Sequence, residues 1–163
     1  MAQRSWSNPA AALEWQLLMG DFNVQKFAAP PPDIIFFDPF SFKTDGALWT
    51  QAAFAELLQI CSGSATELFT YSYSTSVRAA MLAAGFHVAK GRSAGPKPET
   101  TIGLSPRAAA LDHGHELLGR EWLEKWRRSD AQAPYGSGAQ DDSWRDAIPA
   151  HAQFHKWPPI GAT

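Results

Sequence analysis

Asp33-Ile34-Ile35-Phe36-Phe37-Asp38-Pro39-Phe40 decides the fold class of this chain. An unbroken apolar run stands between two acids. Pro30-Pro31-Pro32 lead into it, and a Ser/Lys/Thr/Asp/Gly loop follows. Such a run predicts a strand buried on both faces, as in a parallel sheet. Asp38 then lies at the carboxyl end of that strand, where ligands bind in open α/β sheets. A carboxylate followed by a proline and an aromatic can hold an amine against a ring. It can equally do no more than cap the next loop.

Upstream, Leu13-Glu14-Trp15-Gln16-Leu17-Leu18-Met19 predicts a strand that stops at Gly20-Asp21. Residues 1–10 read as an irregular, frayed start, and residues 22–28 as a connection or one helical turn. Downstream, Thr44 or Asp45 can cap a helix over 47–61. Its buried face is Leu48, Ala52, Ala55, Leu58 and Cys61, and Gly63 ends it. Residues 64–73 read as a strand rich in aromatic and hydroxyl side chains. Ser74 or Thr75 caps a second helix through Ala84, closed by Gly85. Residues 86–90 and 99–104 are strands close enough to pair antiparallel at a sheet edge. Pro106 suits the first position of a further helix over 105–128, with a break at Gly114. On it, Leu118, Trp122 and Trp126 recur at helical spacing and pack inward. The Gly-, Ser- and Pro-rich tail holds one short helix near 142–148.

Strand, helix, strand, helix, strand, strand is an α/β order. The chain divides into an α/β core over 1–104 and a helical, irregular extension over 105–163. At 163 residues it is long enough to bury one core. Hydrophobic residues at 45% against 18% charged residues exclude a disordered chain. A net charge of -2 argues against binding nucleic acid by bulk charge alone, though it leaves room for a local basic patch. A single cysteine, Cys61, excludes an intrachain disulfide framework and fits a reducing cytoplasm. No apolar run reaches the length of a membrane span.

The stretch Asp38-Pro39-Phe40-Ser41-Phe42-Lys43-Thr44-Asp45-Gly46-Ala47-Leu48-Trp49-Thr50 resembles the signature loop of MnmC-type tRNA methyltransferases. The resemblance continues through Phe69-Thr70-Tyr71-Ser72, Val77-Arg78, Ala83-Ala84-Gly85-Phe86 and the run from Gly91 to Ile102 that includes Gly95-Pro96-Lys97 and Glu99-Thr100-Thr101-Ile102. More weakly it reaches Leu117 to Trp122. It departs from the family's pattern at Phe42, Asp45 and Gly46, where proline, asparagine and proline are usual.

The resemblance implies a class I methyltransferase with a Rossmann-like, doubly wound sheet. S-adenosyl-L-methionine would be the cofactor, and the substrate an aminomethyl group on the wobble uridine of tRNA. It implies Asp38 as the carboxylate that orients the amine and takes its proton. Asp21 would bind the adenine amino group, with the Phe22 backbone beside it. Phe40 and Trp49 would supply aromatic walls by stacking or cation–π contact, or else only pack the core. Lys43, Arg78, Arg92 and Lys97 would reach phosphates, or else remain solvated surface charges. The family's first two strands and its glycine-rich cofactor turn do not precede Leu13. The chain therefore reads as the carboxyl-terminal portion of such an enzyme, in a form without a flavin oxidase domain, with sheet edges unpaired and apolar faces exposed.

Other candidates carry less. His113 and His115 are two apart, on different faces of a helix, with no third ligand at metal spacing. His151 and His155 read as solvated tail residues, and Cys61 as a small core residue. Two functions stand: a tRNA methyltransferase, or a Rossmann-like remnant without catalysis that binds a partner.

Overall fold

In a computed structural model the described residues are 4–41, 43–93, 95, 98–112, 114–138 and 141–155. The chain divides into two compact units, Met1–Pro30 and Pro31–Thr163.

The first unit is a hairpin followed by a helical turn. Strand β1 (Arg4–Asn8) pairs antiparallel with β2 (Leu13–Leu17), and Trp6 stands opposite Trp15. Residues 1–10 are therefore not frayed throughout. The turn is built by Asn8, whose side chain accepts from the Ala10 N–H, and by Ala12 in the left-handed region at φ 49°. A cross-strand aromatic pair adds stability that the polar run Arg-Ser-Trp-Ser-Asn does not advertise in one dimension. Helix α1 (Phe22–Gln25) follows, capped by Asp21, and a 3-10 turn over Lys26–Ala28 closes the unit.

The second unit carries a four-stranded sheet in the order β3-β4-β6-β5. Strand β3 (Ile34–Phe36) runs parallel to β4 (Glu67–Thr70), joined through α2 (Gln51–Ile60). Helix α3 (Thr75–Ala83) leads into β5 (His87–Gly91), and β6 (Thr100–Leu104) inserts antiparallel between β4 and β5. The expected antiparallel pair is present, but only β5 lies at the edge.

Side chains of α2 and α3 bury one face of this sheet, with Phe54, Leu57, Val77 and Met81 packed against Leu68 and Val88. The close approach of α3 depends on Gly103, where a Cβ would overlap the Met81 side chain. Strand β3 departs from the expectation of burial on both faces. Phe37, just past its end, is buried in the core, whereas Ile34 is 55% and Phe36 80% exposed. A strand buried on both faces needs cover on each of them, and the second face of β3 has little among the described residues.

The helix after β3 starts later than its sequence suggests. Gly46–Trp49 is a 3-10 turn, and Thr50 is the cap of α2, its hydroxyl accepting from the Ala53 N–H. The predicted 105–128 helix is two pieces. Helix α4 (Pro106–Ala109), capped by Ser105, ends early; α5 (Arg120–Arg127) starts after an extended strap in which Leu117 bridges Ala89. Gly114 at φ +64° sits between them. Leu118 is buried as expected, but from the strap and not from the helix.

The units divide at Pro30–Pro31, whereas the sequence reading divides the chain after Leu104. Segments beyond Leu104 add to the same core as α2 and α3. Trp126 of α5, Trp144 of α6 (Trp144–Ala147), Ile148 and Phe154 are all buried there. Gln153 is buried with them. Its side-chain amide accepts from the Val88 N–H at 2.8 Å and donates to the carbonyls of Val88 and Leu118. Together with the strap at Glu116–Leu118, which bonds Val88 and Lys90 through its backbone, it satisfies the outer edge of β5.

Candidate functional site

Strands β3, β4 and β5 run in one direction, so Phe36, Thr70 and Gly91 end at the same rim, beside the start of β6 at Thr100. Asp38 follows β3 by two residues and is exposed. It lines a cleft of about 610 Å³ with Phe36, Phe69, Tyr71, Arg92 and His115. The floor is aromatic: the rings of Phe36 and Phe69 stack at 5.8 Å, and His115 meets Phe69 edge-on at 6.3 Å. The imidazole of His115 is in turn 3.2 Å from the Glu67 carboxylate. On the rim, Lys90 bonds Glu116 at 2.6 Å, a contact that raises the lysine pKa.

The loop after Asp38 is held from within. The N–H groups of Thr44 and Asp45 both donate to the Ser41 carbonyl. Trp49 is buried against Phe37 and Phe54, and its indole N–H donates to the Phe40 carbonyl at 2.9 Å. Phe40 itself remains 75% exposed. Of the two expected aromatic walls, only Phe40 presents a ring at the surface. Trp49 is a core residue, because the 3-10 turn directs it inward, and it acts on the loop through the backbone of Phe40.

In the first unit, Asp21 accepts the Asn23 N–H through one carboxylate oxygen at 2.9 Å. This is the role of a turn acid that bonds its own backbone. Its second oxygen and the Phe22 amide sit on adjacent residues at the start of α1.

The basic residues part company. Lys43 and Arg92 are exposed, and Arg92 lies on the cleft. Arg78 is buried and is not a phosphate contact. Its guanidinium donates to the Thr101 hydroxyl, the Glu99 carboxylate and the Thr100 carbonyl, each at 2.9 Å, and so clips α3 to β6. Lys97, Phe42 and His113 lie outside the described residues. Cys61 is buried, its thiol donating to the Leu57 carbonyl, and burial pushes its pKa up. His151 is not a solvated tail residue: its ring stands 4.8 Å from that of His87.

Sequence reasoning did not assign Phe36, Phe69, Tyr71 or Lys90 to a site. The available signal was topological, since each lies on or just past the carboxyl half of a strand.

A family model described as S-adenosyl-L-methionine-dependent methyltransferase matches residues 3–106, well over half of the chain. The chain belongs to this methyltransferase family. Among solved structures, the crystal structure of MnmC2 from Aquifex aeolicus is similar, with a TM-score of 0.58 and 22% identity over 80% of this chain. The match spans 41% of that protein's chain. A comparison with curated proteins found no match. The fold of the methyltransferase is thus α/β, as its element order implied, and Rossmann-like, as the resemblance implied.

The residues present fit part of S-adenosyl-L-methionine. An exposed carboxylate and an exposed ring near the end of β3 suit a cationic centre. A carboxylate oxygen adjacent to a backbone N–H, as at Asp21-Phe22, suits an adenine edge. Among the described residues, however, no strand is followed by a glycine-rich turn. Of the positive-φ glycines, Gly63 and Gly85 follow helices, and Gly20 stands as a single glycine after β2. Taken separately, each described unit offers partners for one end of the group, and neither offers a glycine-rich cradle among the described residues.

Proposed function

We propose that this methyltransferase acts on the aminomethyl group of a 5-aminomethyl- or 5-aminomethyl-2-thiouridine at the tRNA wobble position, in the cytoplasm. The observation that carries the reading is Asp38, an exposed carboxylate at the strand ends, followed by Phe40 on a loop pinned by Trp49. S-adenosyl-L-methionine, when bound, supplies an electrophilic methyl group. Attack on it needs a neutral amine aligned with the breaking bond. Asp38 can accept a hydrogen bond from the amine, fix its lone pair, and take the proton released when nitrogen gains carbon. Phe40 offers a face to a base or to a cation. Asp21 and the Phe22 amide pair with an adenine edge. Lys43, Arg92 and Lys97 neutralise tRNA phosphates, which carry position and not sequence.

Two measurements test this. Calorimetric titration with S-adenosylhomocysteine, with Asp21→Ala as control, reads cofactor binding. Assay on under-modified tRNA, with Asp38→Asn as control, reads transfer. One-to-one binding weakened by the first variant and transfer abolished by the second are expected. A well-folded sample that does neither sinks the reading.

A second reading is favoured by one observation: Ile34 and Phe36 expose an apolar face on a parallel pair that ordinarily has cover. On this reading the chain is a partner-binding remnant without catalysis. Failure of both assays, with stable association through β3, supports it.

A further inference from the structure

We propose that the cleft between the open face of β3–β4 and the strap at Gly114–Glu116 is a mononucleotide site, with the base on Phe36 and the phosphate at Arg92. This deepens the proposed methyl transfer to a uridine and rests on it. Among the described residues Phe36 is the most exposed large apolar side chain of the unit, at 80%. Its ring is stacked on Phe69, so the platform is already built, and stacking a base on it needs little further ordering.

The far wall is set in the same way. His115 stands edge-on to Phe69 and its Nε2 is held by the Glu67 carboxylate, which fixes the imidazole ring beside the platform. Across the mouth, Arg92 is exposed and makes no ion pair among the described residues, while Lys90 is already bonded to Glu116. A guanidinium with its donors open at one end of an aromatic floor is suited to a phosphate. Asp38 lines the same cleft and repels that phosphate, so the base edge and its substituent face Asp38 while the phosphate lies toward Arg92. The volume, about 610 Å³, lies within the range of small-ligand sites. This arrangement brings the substituent of the base to the one carboxylate that the proposed reaction requires.

The test is an NMR titration of the isotope-labelled 163-residue chain with uridine 5′-monophosphate, with uridine, and separately with S-adenosylhomocysteine. Saturable shifts at Phe36, Phe69, His115 and Arg92 with the nucleotide are expected. Phe36→Ala, an exposed position where folding is not at stake, weakens that binding about tenfold. Arg92→Gln weakens the nucleotide about fivefold and leaves uridine unchanged.

Absence of saturable shifts in the folded chain overturns the site, as does insensitivity to Phe36→Ala. Concentration-dependent self-association through these residues, without a nucleotide response, also overturns it and makes the face a packing surface. The S-adenosylhomocysteine arm bears on the methyltransferase reading alone. Binding there without a nucleotide response sinks the cleft and spares the reading. A nucleotide response without it does the reverse.

Discussion

The indole N–H of Trp49 reaches back along its own chain to the carbonyl oxygen of Phe40, at 2.9 Å. The bond ties a core residue to the exposed loop that carries Asp38. Trp49→Phe keeps most of the packing and deletes the donor, leaving a carbonyl that lacks its partner. A loss of about 1 kcal/mol in stability is expected, read as a shift in the urea midpoint. If the loop geometry serves catalysis, methyl transfer falls by more than this stability loss explains. Trp49→Ala removes the packing as well and costs about 3–5 kcal/mol.

Asp38→Asn is expected to separate function from stability. The carboxylate is exposed and makes no hydrogen bond or ion pair with the described residues, so the stability stays within about 0.5 kcal/mol of the parent. Transfer to under-modified tRNA is abolished. A variant that retains full transfer removes Asp38 from the mechanism.

Arg78 is the reverse case, a charged residue whose work is structural. Its fork is filled by Thr101, Glu99 and the Thr100 carbonyl. Arg78→Met leaves these groups unpaired beneath α3, at a cost of about 3 kcal/mol. Arg78→Lys does not restore stability, because an ammonium cannot occupy the planar fork. Equilibrium denaturation checks both variants, and tRNA affinity of the folded fraction stays unchanged.

The pH dependence of stability comes through His151. Burial, then the neighbouring ring of His87, lower its pKa from 6.5 to about 4, with His155 adding slightly and the Gly85 backbone opposing. The folded ring is therefore neutral where the unfolded chain takes up a proton. Its contribution is fully present above the unfolded pKa of 6.5 and is lost as pH falls toward about 4. Since the ring is only half-buried, the loss is about 2 kcal/mol, less than the full shift would suggest. Urea denaturation across this interval measures it, and His151→Asn flattens the profile.

Gln153 supplies the last prediction. Gln153→Ala removes both bonds to the Val88 backbone and the one to Leu118, a loss of about 2–3 kcal/mol. Amide hydrogen exchange at Val88 accelerates more than exchange at the central strand β6. Equal acceleration throughout would mean that the amide supports the whole fold and not the β5 edge.

The order of elements in the second unit was legible in the chain because each depends on nearby residues. The apolar run from Ile34 to Phe37, the glycines after α2 and α3, and Ser105-Pro106 before α4 act over a few positions. So did the place of Asp38, since a strand's carboxyl end is marked by where its apolar run stops. Three outcomes needed the folded chain. Trp49 entered the core because a 3-10 turn rotated it inward, and its sequence spacing suited a surface wall as well. Arg78 was withdrawn from the surface by partners more than twenty residues away, on β6 and immediately before it. The tail became part of the core because Trp144, Ile148 and Gln153 found a sheet edge and a helical face distant in sequence. The sequence by itself determined the order of strands and helices from β3 to β6, because propensity, capping and periodicity are local, but not the hairpin of β1 or the break between α4 and α5. Tertiary structure decided which aromatic and charged side chains remain at the surface, because burial is settled by contacts between segments that are far apart along the chain.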